Sequence, residues 1–259
     1  MGNYNNKTTD KALVSIIMPM HNSEAFLAEA IDSVIAQTHK NWELIIIDDN
    51  STDRSCEIAR EYAKKDDRIA IYPCQDHTGL PGTPRNEGIT LAKGQYIAFL
   101  DSDDVWLPGK LEQQLPFFTD VRTAVVYSDY EKIDEYSHRS ARVITAPKYT
   151  DYKHLLHGNV IGNLTGIFDV KKVGKNYYID IHHEDYAFWL SILKKGYIAR
   201  NTCTITALYR ERSDSVSSKK WRNTAWQWNI YRNIEHISFI RSVFYFISYA
   251  FKALRKNII

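Results

Sequence analysis

Cysteine is scarce in this 259-residue chain: Cys56, Cys74 and Cys203 are odd in number and far apart, with no CxxC and no Cys/His cluster. That pattern excludes a disulfide framework and a structural zinc site, and it fits a reducing cytosol. The sequence also lacks GxGxxG and GxxxxGK[ST], the phosphate-binding elements of the dinucleotide-binding and P-loop folds. No apolar run approaches the ~20 residues a spanning helix needs. The opening "MGNYNNKTTDK" has no apolar signal-peptide core, and Asn6 stands where N-myristoylation requires Ser or Thr, so residues 1–11 read as a disordered lead-in. Internal repeats, low-complexity tracts and Pro/Gly-rich linkers are absent too, which favours one continuous domain over two.

The hydrophobic content of 44% and charged content of 25% are those of a soluble globular protein. The net charge of +2 conceals an asymmetry. From residue 219 onward eight basic residues (Lys219, Lys220, Arg222, Arg232, Arg241, Lys252, Arg255, Lys256) face one acid, Glu235, a balance of +7 that leaves residues 1–218 at −5. A basic, aromatic-rich tail on an acidic body suits a phosphate-bearing or membrane-surface partner. No nucleic-acid partner is expected.

The first hundred residues alternate between strand and helix patterns. "LVSIIMP", "WELIIIDD", "RIAIYP" and "QYIAFLD" are apolar runs of strand length. Between them, "EAFLAEAIDSVIAQ" places Leu27, Ala30, Ile31, Val34 and Ile35 on one helical face with Ser23 as N-cap, and "STDRSCEIAREYAKK" and "TPRNEGITLAKG" read as two further helices. Strands apolar on both faces and separated by helices predict a mostly parallel sheet covered on both sides. The second half is less regular. "AVVYSDY", "NLTGIFDV" and "TCTITALYR" read as strands, with "YKHLLHG" and "HHEDYAFWLSILKKG" as helices. In "HISFIRSVFYFISYAFKALRKNII", Ile240, Val243, Phe244, Ile247, Phe251 and Leu254 fall at helical spacing opposite Arg241, Tyr245, Ser248, Lys252 and Arg255. This reads as an interfacial amphipathic helix with a basic rim. The alternative is a helix packed on the domain or on a second subunit of a homo-oligomer.

Ligands of parallel α/β sheets bind at the carboxyl ends of the strands. Three such ends are polar here: Pro19-Met20-His21-Asn22, Asp48-Asp49-Asn50-Ser51 and Asp101-Ser102-Asp103-Asp104. Three carboxylates in four positions repel one another unless a cation sits among them. Hard cations such as Mn²⁺ or Mg²⁺ take one or two carboxylates together with substrate phosphates. One of Asp48 and Asp49 can accept from a ribose or base; the bland alternative is an Asx-type cap for the helix that follows, which Ser51, Thr52 or Asp53 supplies just as well. Arg85, near a helix start, is a candidate for a base or phosphate contact. Glu184 and Asp185 either complement a helix dipole or supply a general base.

In order and spacing, "VSIIMPMHNSEAFLAEAIDSVIAQT", "WELIIIDDNSTD", "GTPRNEGI", "FLDSDDVW", "HHEDYAFWL" and "LYRERSDSVSSKK" resemble the family 2 inverting glycosyltransferases of the GT-A fold. The resemblance implies a GT-A catalytic domain over 12–220, with a nucleotide-binding half (12–106) and an acceptor-binding half (107–220), followed by a basic helical tail (221–259). It places the DxD motif on Asp101 and Asp103, with Asp103 ligating Mn²⁺ (or Mg²⁺) and Asp101 assisting at metal or ribose. It puts the nucleotide acid on Asp49, the arginine on Arg85, and the uridine pocket along Pro19, His21 and Asn22. Ser102 and Glu184 join the nucleotide-sugar site, Arg210 and Lys219 (with Ser215 and Ser217) a segment that closes over the diphosphate, and Asp185 is the expected catalytic base. The implied reaction moves a sugar from a UDP-sugar to a polyprenyl-diphosphate-linked glycan acceptor in bacterial surface-polysaccharide synthesis. The enzyme would then be cytoplasmic and peripheral on the inner face of the cell membrane. The competing readings are a sugar nucleotidyltransferase, which would consume a nucleoside triphosphate, and a non-catalytic glycan- or membrane-binding subunit. The role of Asp104 stays open.

Overall fold

The computed structural model describes residues 12–76, 79–211 and 220–256. Four strands, β1 (Val14–Met20), β2 (Trp42–Asp48), β3 (Ile69–Pro73) and β4 (Tyr96–Phe99), alternate with helices α1 (Leu27–Ile35), α2 (Ser55–Ala63) and α3 (Gly82–Leu91). Beyond them come β5 (Val105–Trp106), α4 (Lys110–Gln114), β6 (Thr123–Ile133), β7 (Arg139–Ile144), β8 (Tyr149–Asp151) and α5 (Tyr152–Leu155). The chain continues through β9 (Ile167–Asp169), α6 (Val170–Val173), α7 (Glu184–Leu193), β10 (Ile198–Arg210), α8 (Lys220–Asn229) and α9 (Phe239–Lys256).

One sheet joins both halves in the order β3-β2-β1-β4-β9-β6-β10-β5, with β7 against β6 and β8 against β10. The β1–β2, β1–β4, β2–β3 and β6–β10 pairs are parallel. β9 runs antiparallel between β4 and β6, so β6 regains the direction of β4. The carboxyl ends of β1, β2, β4, β6 and β10 therefore open on one edge.

The apolar runs bury both faces because alternate residues of a strand point to opposite sides. Ile17, Ile45, Ile47, Ile97 and Phe99 meet Phe168, Phe188 and Trp189 on one face. Ile16, Met18, Leu44, Ile46 and Ala98 meet α1 and Trp106 on the other. Gly88 is what lets α3 lie against β1: a Cβ there would stand 2.4 Å from Ile17 Cγ2. One turn earlier on the same helix is Arg85, so this close approach fixes where its side chain begins.

Two expectations change. Ser23 does not cap α1 with its hydroxyl; the helix begins at Leu27, and the Ser23 carbonyl accepts from Phe26 N and Leu27 N. The "NLT" of "NLTGIFDV" is a 3-10 turn (Asn163–Thr165), and only Ile167–Asp169 is strand. The three cysteines are free, as their spacing predicts.

The tail folds back on the protein. A π-helical turn (Ile230–Ile234) follows α8 and buries Ile230 and Tyr231 completely. Tyr231 Oη donates to the Leu156 carbonyl at 2.6 Å, and buried Glu235 accepts from Tyr152 Oη (2.6 Å) and Lys194 Nζ (2.8 Å). In α9 the packed side carries Ser242, Tyr245 and Phe246, whereas Phe239, Ile240, Phe244, Ile247 and Phe251 are 51–82% exposed. Its strongest apolar stripe thus faces away from the protein. Among the described residues no helix is long and apolar enough to cross a membrane.

Candidate active site

The loops after β1 and β2 are tied to each other. Asn22 Oδ1 accepts from Thr52 N (2.8 Å), and the Ser51 and Ser55 hydroxyls accept from Asn22 N and Ser23 N. Asp53 accepts from Glu24 N while Glu24 accepts from Arg54 N. Asn22 (φ 45°) and Asn50 (φ 59°) take the left-handed backbone that asparagine tolerates better than most residues. His21 Nδ1 donates to the Asp49 carbonyl at 2.6 Å, and Pro19 is the penultimate residue of β1 beside them.

The pair Asp48-Asp49 divides its work. Asp48 accepts from Ser51 N (3.1 Å) and Cys56 Sγ (2.9 Å), bonds within the turn after β2, and among the described residues no side chain caps α2. Next to this acidic acceptor, the Cys56 thiol is pushed up to about 11, burial being the larger cause. Asp49 is the member of the pair left beside the β1 end, its backbone N bonded to Met20 O.

Past β4 the loop 101–104 reaches the same edge. Ser102 is buried and shares a 2.7 Å hydrogen bond with the Ser23 hydroxyl, so it joins two loops. Asp104 is 2% exposed and accepts from Arg210 N at 2.9 Å. Burial, reinforced by the charges of Asp103 and Asp101, holds its carboxyl well above the usual range. Arg210 is buried behind this loop. It donates through Nε to the Asp103 carbonyl (2.7 Å), and through its other nitrogens to the Asp134 carbonyl, the Ser137 hydroxyl and Glu29 (2.6 Å). The expectation that Arg210 closes over a diphosphate is thereby corrected: its charge is engaged by Glu29 and it braces the loop from behind. Lys219, Ser215 and Ser217 lie outside the described residues.

Arg85 connects the two halves. Its guanidinium donates to Asp101 Oδ1 (2.6 Å) and Glu184 Oε1 (2.9 Å) and lies 5.4 Å from the Tyr178 ring. Burial works against its charge, but Asp101, Tyr178 and Glu184 outweigh that and hold its pKa above the usual value. Nε of this buried side chain has no hydrogen-bond partner among the described residues. Glu184 is thus more than a helix-dipole acid, because it closes an ion-paired bridge from α7 to the loop after β4.

Asp185, next on α7, accepts from Asn159 Nδ2 (3.0 Å) and from Tyr186 N (2.7 Å). Burial, and after it the Glu184 charge, push its carboxyl up to about 7. A carboxyl that titrates near neutrality is suited to receive a proton in catalysis. Before α7, His183 adopts the left-handed conformation (φ 61°), and His182 stacks on Trp226 of α8 at 4.1 Å.

These groups share a cavity of about 300 Å³ lined by Arg85, Asp101, Asp104, Tyr130, Gly162, Asn163, Leu164, Glu184, Asp185 and Tyr209. A second cavity of about 240 Å³ adjoins it and also reaches Asp185, between Tyr130, Ile144, Thr145 and the segment Asn159–Gly162. Tyr130, Asn159 and Asn163 escape the sequence reading because none belongs to a spaced motif, and Tyr209 lies unremarked inside "LYRERSDSVSSKK"; only the fold brings them here. Among the described residues no cluster of three or more His, Cys, Asp or Glu side chains stands ready to hold a metal alone. Asp101 and Asp103 offer hard carboxylate oxygens beside buried Asp104, a donor set that fits Mg²⁺ or Mn²⁺ when substrate phosphates complete the shell.

A mostly parallel sheet that carries an Asp-x-Asp loop and a helix-borne carboxylate to one edge defines the GT-A class. The model for glycosyl transferase family 2 matches residues 15–172, and the chain belongs to that family. It is 36% identical over 252 residues, 97% of this chain and 100% of the relative, to the putative teichuronic acid biosynthesis glycosyltransferase TuaG of Bacillus subtilis. It is 35% identical over 249 residues, 96% of each chain, to the UDP-Glc:alpha-D-GlcNAc-diphosphoundecaprenol beta-1,3-glucosyltransferase WfgD of Escherichia coli. Among solved structures, residues 1–349 of S. aureus TarS superpose with a TM-score of 0.66 at 19% identity, over 92% of this chain and 70% of that one. The mannosyltransferase PcManGT of Pyrobaculum calidifontis, solved with GDP-Man and Mn²⁺, gives 0.62 at 15% identity, over 87% of this chain and 64% of that one.

Proposed function

We propose that the protein is an inverting glycosyltransferase that moves a sugar from a UDP-sugar to a lipid-diphosphate-linked glycan in bacterial surface-polysaccharide synthesis. The observation that carries this reading is Asp185, titrating near 7 on the wall of the cavity that Arg85 and Asp101 share. One such base suffices for inversion. It takes the proton of the acceptor hydroxyl as that oxygen attacks the anomeric carbon, on the face opposite the leaving diphosphate. The new linkage is β when the donor is an α-linked UDP-sugar. The alternatives weighed from sequence lose ground, since family membership disfavours a nucleotidyltransferase and an intact base disfavours a non-catalytic subunit.

In this reading Asp49, His21, Asn22 and Pro19 line the uridine site. Asp101 and Asp103 hold Mn²⁺ or Mg²⁺, which would offset negative charge on the diphosphate. Arg85 sits between donor and base, ion-paired to Asp101 and Glu184. The supports for substrate class are the relative WfgD, named for a UDP-Glc donor and a diphosphoundecaprenol-linked acceptor, and TarS, solved with UDP-GlcNAc. Residues 12–106 then form the nucleotide half, 107–220 the acceptor half and 221–259 a surface-binding tail. The exposed stripe of α9, on a helix whose four charges are all basic, suits an anionic inner-leaflet surface and a peripheral location there.

The decisive experiment incubates the protein with UDP-sugars, a diphosphate-lipid-linked GlcNAc acceptor and Mn²⁺, and follows UDP release and product stereochemistry. Inverted product is expected from wild type, with turnover about 10²–10⁴-fold lower in Asp185→Asn. Full turnover by Asp185→Asn would sink the assignment of the base, and a retained anomeric configuration would sink inversion.

A further inference from the structure

The segment between α5 and the 3-10 turn, "HGNVIGN", carries no motif, yet it holds one of the two groups that hydrogen-bond the Asp185 carboxylate. Asn159 Nδ2 donates to Asp185 Oδ2 at 3.0 Å, and Asn159 Oδ1 accepts from Ile161 N, also at 3.0 Å. The second bond fixes the first. A backbone N–H can only donate, so the amide oxygen must face Ile161 and the NH₂ must face Asp185. The other carboxylate oxygen, Oδ1, accepts from Tyr186 N at 2.7 Å. The two bonds together set the rotation of the carboxyl group about its own axis.

We propose that Asn159 is a positioning residue for the base: it orients Asp185 toward the boundary of the two cavities and favours its ionised form. The inference rests on Asp185 being the base. Asn159 lines the 240 Å³ cavity and does not line the one that Arg85 and Asp101 share. Its effect should therefore fall on proton transfer and the acceptor rather than on the nucleotide. The other charged or titratable groups around Asp185 are Glu184, Arg85, Asp101, Tyr130 and Tyr178. Among the described residues, none of these groups donates a hydrogen bond to the carboxylate.

The tail helix keeps this segment in place. His157 Nδ1 and the Ser248 hydroxyl of α9 lie 2.8 Å apart, and the His157 ring meets Phe244 and Tyr245 at 5.7 and 4.9 Å. Tyr231 holds the Leu156 carbonyl just before it. Asn159 thus sits two residues beyond a point fastened to the C-terminal elements.

The test is the pH profile of kcat/KM in the full-length protein, measured beside UDP affinity. Asn159→Ala removes the donor, and the acid limb should move to higher pH by about one unit, with roughly fivefold loss at pH 7, growing towards tenfold at lower pH, and unchanged UDP binding. Asn159→Asp keeps the shape and the Ile161 bond but places a second carboxylate against the first, so the limb should move further. An unmoved acid limb in either folded variant overturns the proposal, as does a loss confined to UDP affinity. If Asp185→Asn retains full turnover, the base assignment fails instead. If Asp185→Asn is inactive while both Asn159 variants keep the wild-type profile, only the positioning role fails.

Discussion

The two sides of this site are built differently. On the side proposed for the nucleotide, loops after β1, β2 and β4 are stitched by short polar bonds among Asn22, Ser23, Ser51, Thr52, Ser55 and Ser102. On the side of Asp185, position comes from aromatic packing, as where Tyr178 stacks on Phe188 at 4.2 Å, and from single long-range bonds such as Asn159 to Asp185. The first construction holds a rigid cradle whose members are mutually redundant. The second leaves Asp185, the proposed base, desolvated, which keeps its proton affinity near neutrality and makes it sensitive to a few contacts. Among the described residues, Arg85 is the guanidinium that bridges both.

The largest expected effect is on the base. Asp185→Asn should lower transfer about 10²–10⁴-fold while UDP binding persists, measured by turnover and calorimetry. It should also raise the melting temperature at pH 8. Since folding lifts the Asp185 pKa from the usual carboxylate value to about 7, the folded state holds a proton that the unfolded chain has released between roughly pH 4 and 7. Asp185 therefore subtracts stability as pH rises through that window, whereas turnover rises with pH through about 7 as the base ionises. A catalytic loss accompanied by a lower melting temperature at pH 8 would contradict this account.

Arg85→Ala breaks the bridge and leaves Asp101 and Glu184 without their partner. A cost on the order of 3 kcal/mol is expected, read as an earlier denaturant midpoint, together with weaker UDP binding. Equal stability with normal binding would mean that the two sides are independent. Asp103→Ala should abolish stimulation of UDP binding by Mn²⁺, and calorimetry with and without the ion decides it. A smaller effect is expected at Asn22→Gly, which keeps the left-handed backbone and removes the bonds to Thr52. With redundant stitching, UDP affinity should fall less than tenfold, and a larger fall would show that the cradle is as fragile as the other side. Smallest for catalysis is the pair Ile240→Glu and Ile247→Glu on the exposed stripe. Turnover of a soluble acceptor should hold while cosedimentation with anionic vesicles is lost.

The same contrast explains what could be read from sequence. Parallel strands and their helices were legible because a strand buried on both faces leaves a continuous apolar run, and a capped helix leaves its period. Asp101, Arg85, Glu184 and Asp185 stand out through type and spacing, and the fold brings all four to one cavity. Arg210 misled because its motif-like neighbourhood says nothing about burial, and Glu29, its partner, lies 181 residues away. Asn159 was invisible for the same reason. The tail's periodicity was read correctly, but which face it would turn inward depended on the π-helical turn and the Tyr231 and Glu235 anchors, which no local pattern announces.

The outward stripe of α9 has a kinetic consequence. The helix is 18 residues long, about 27 Å end to end. Lying flat on a surface, a rod of that length removes two of the three axes about which the molecule can tumble and leaves rotation about the surface normal. An acceptor confined to the same surface is then met by a search in two dimensions, with the reacting edge held at a constant height. The rate of encounter would follow the number of acceptors per unit area, not their concentration in the bulk, so diluting the suspension at fixed lipid composition should leave turnover on the surface unchanged.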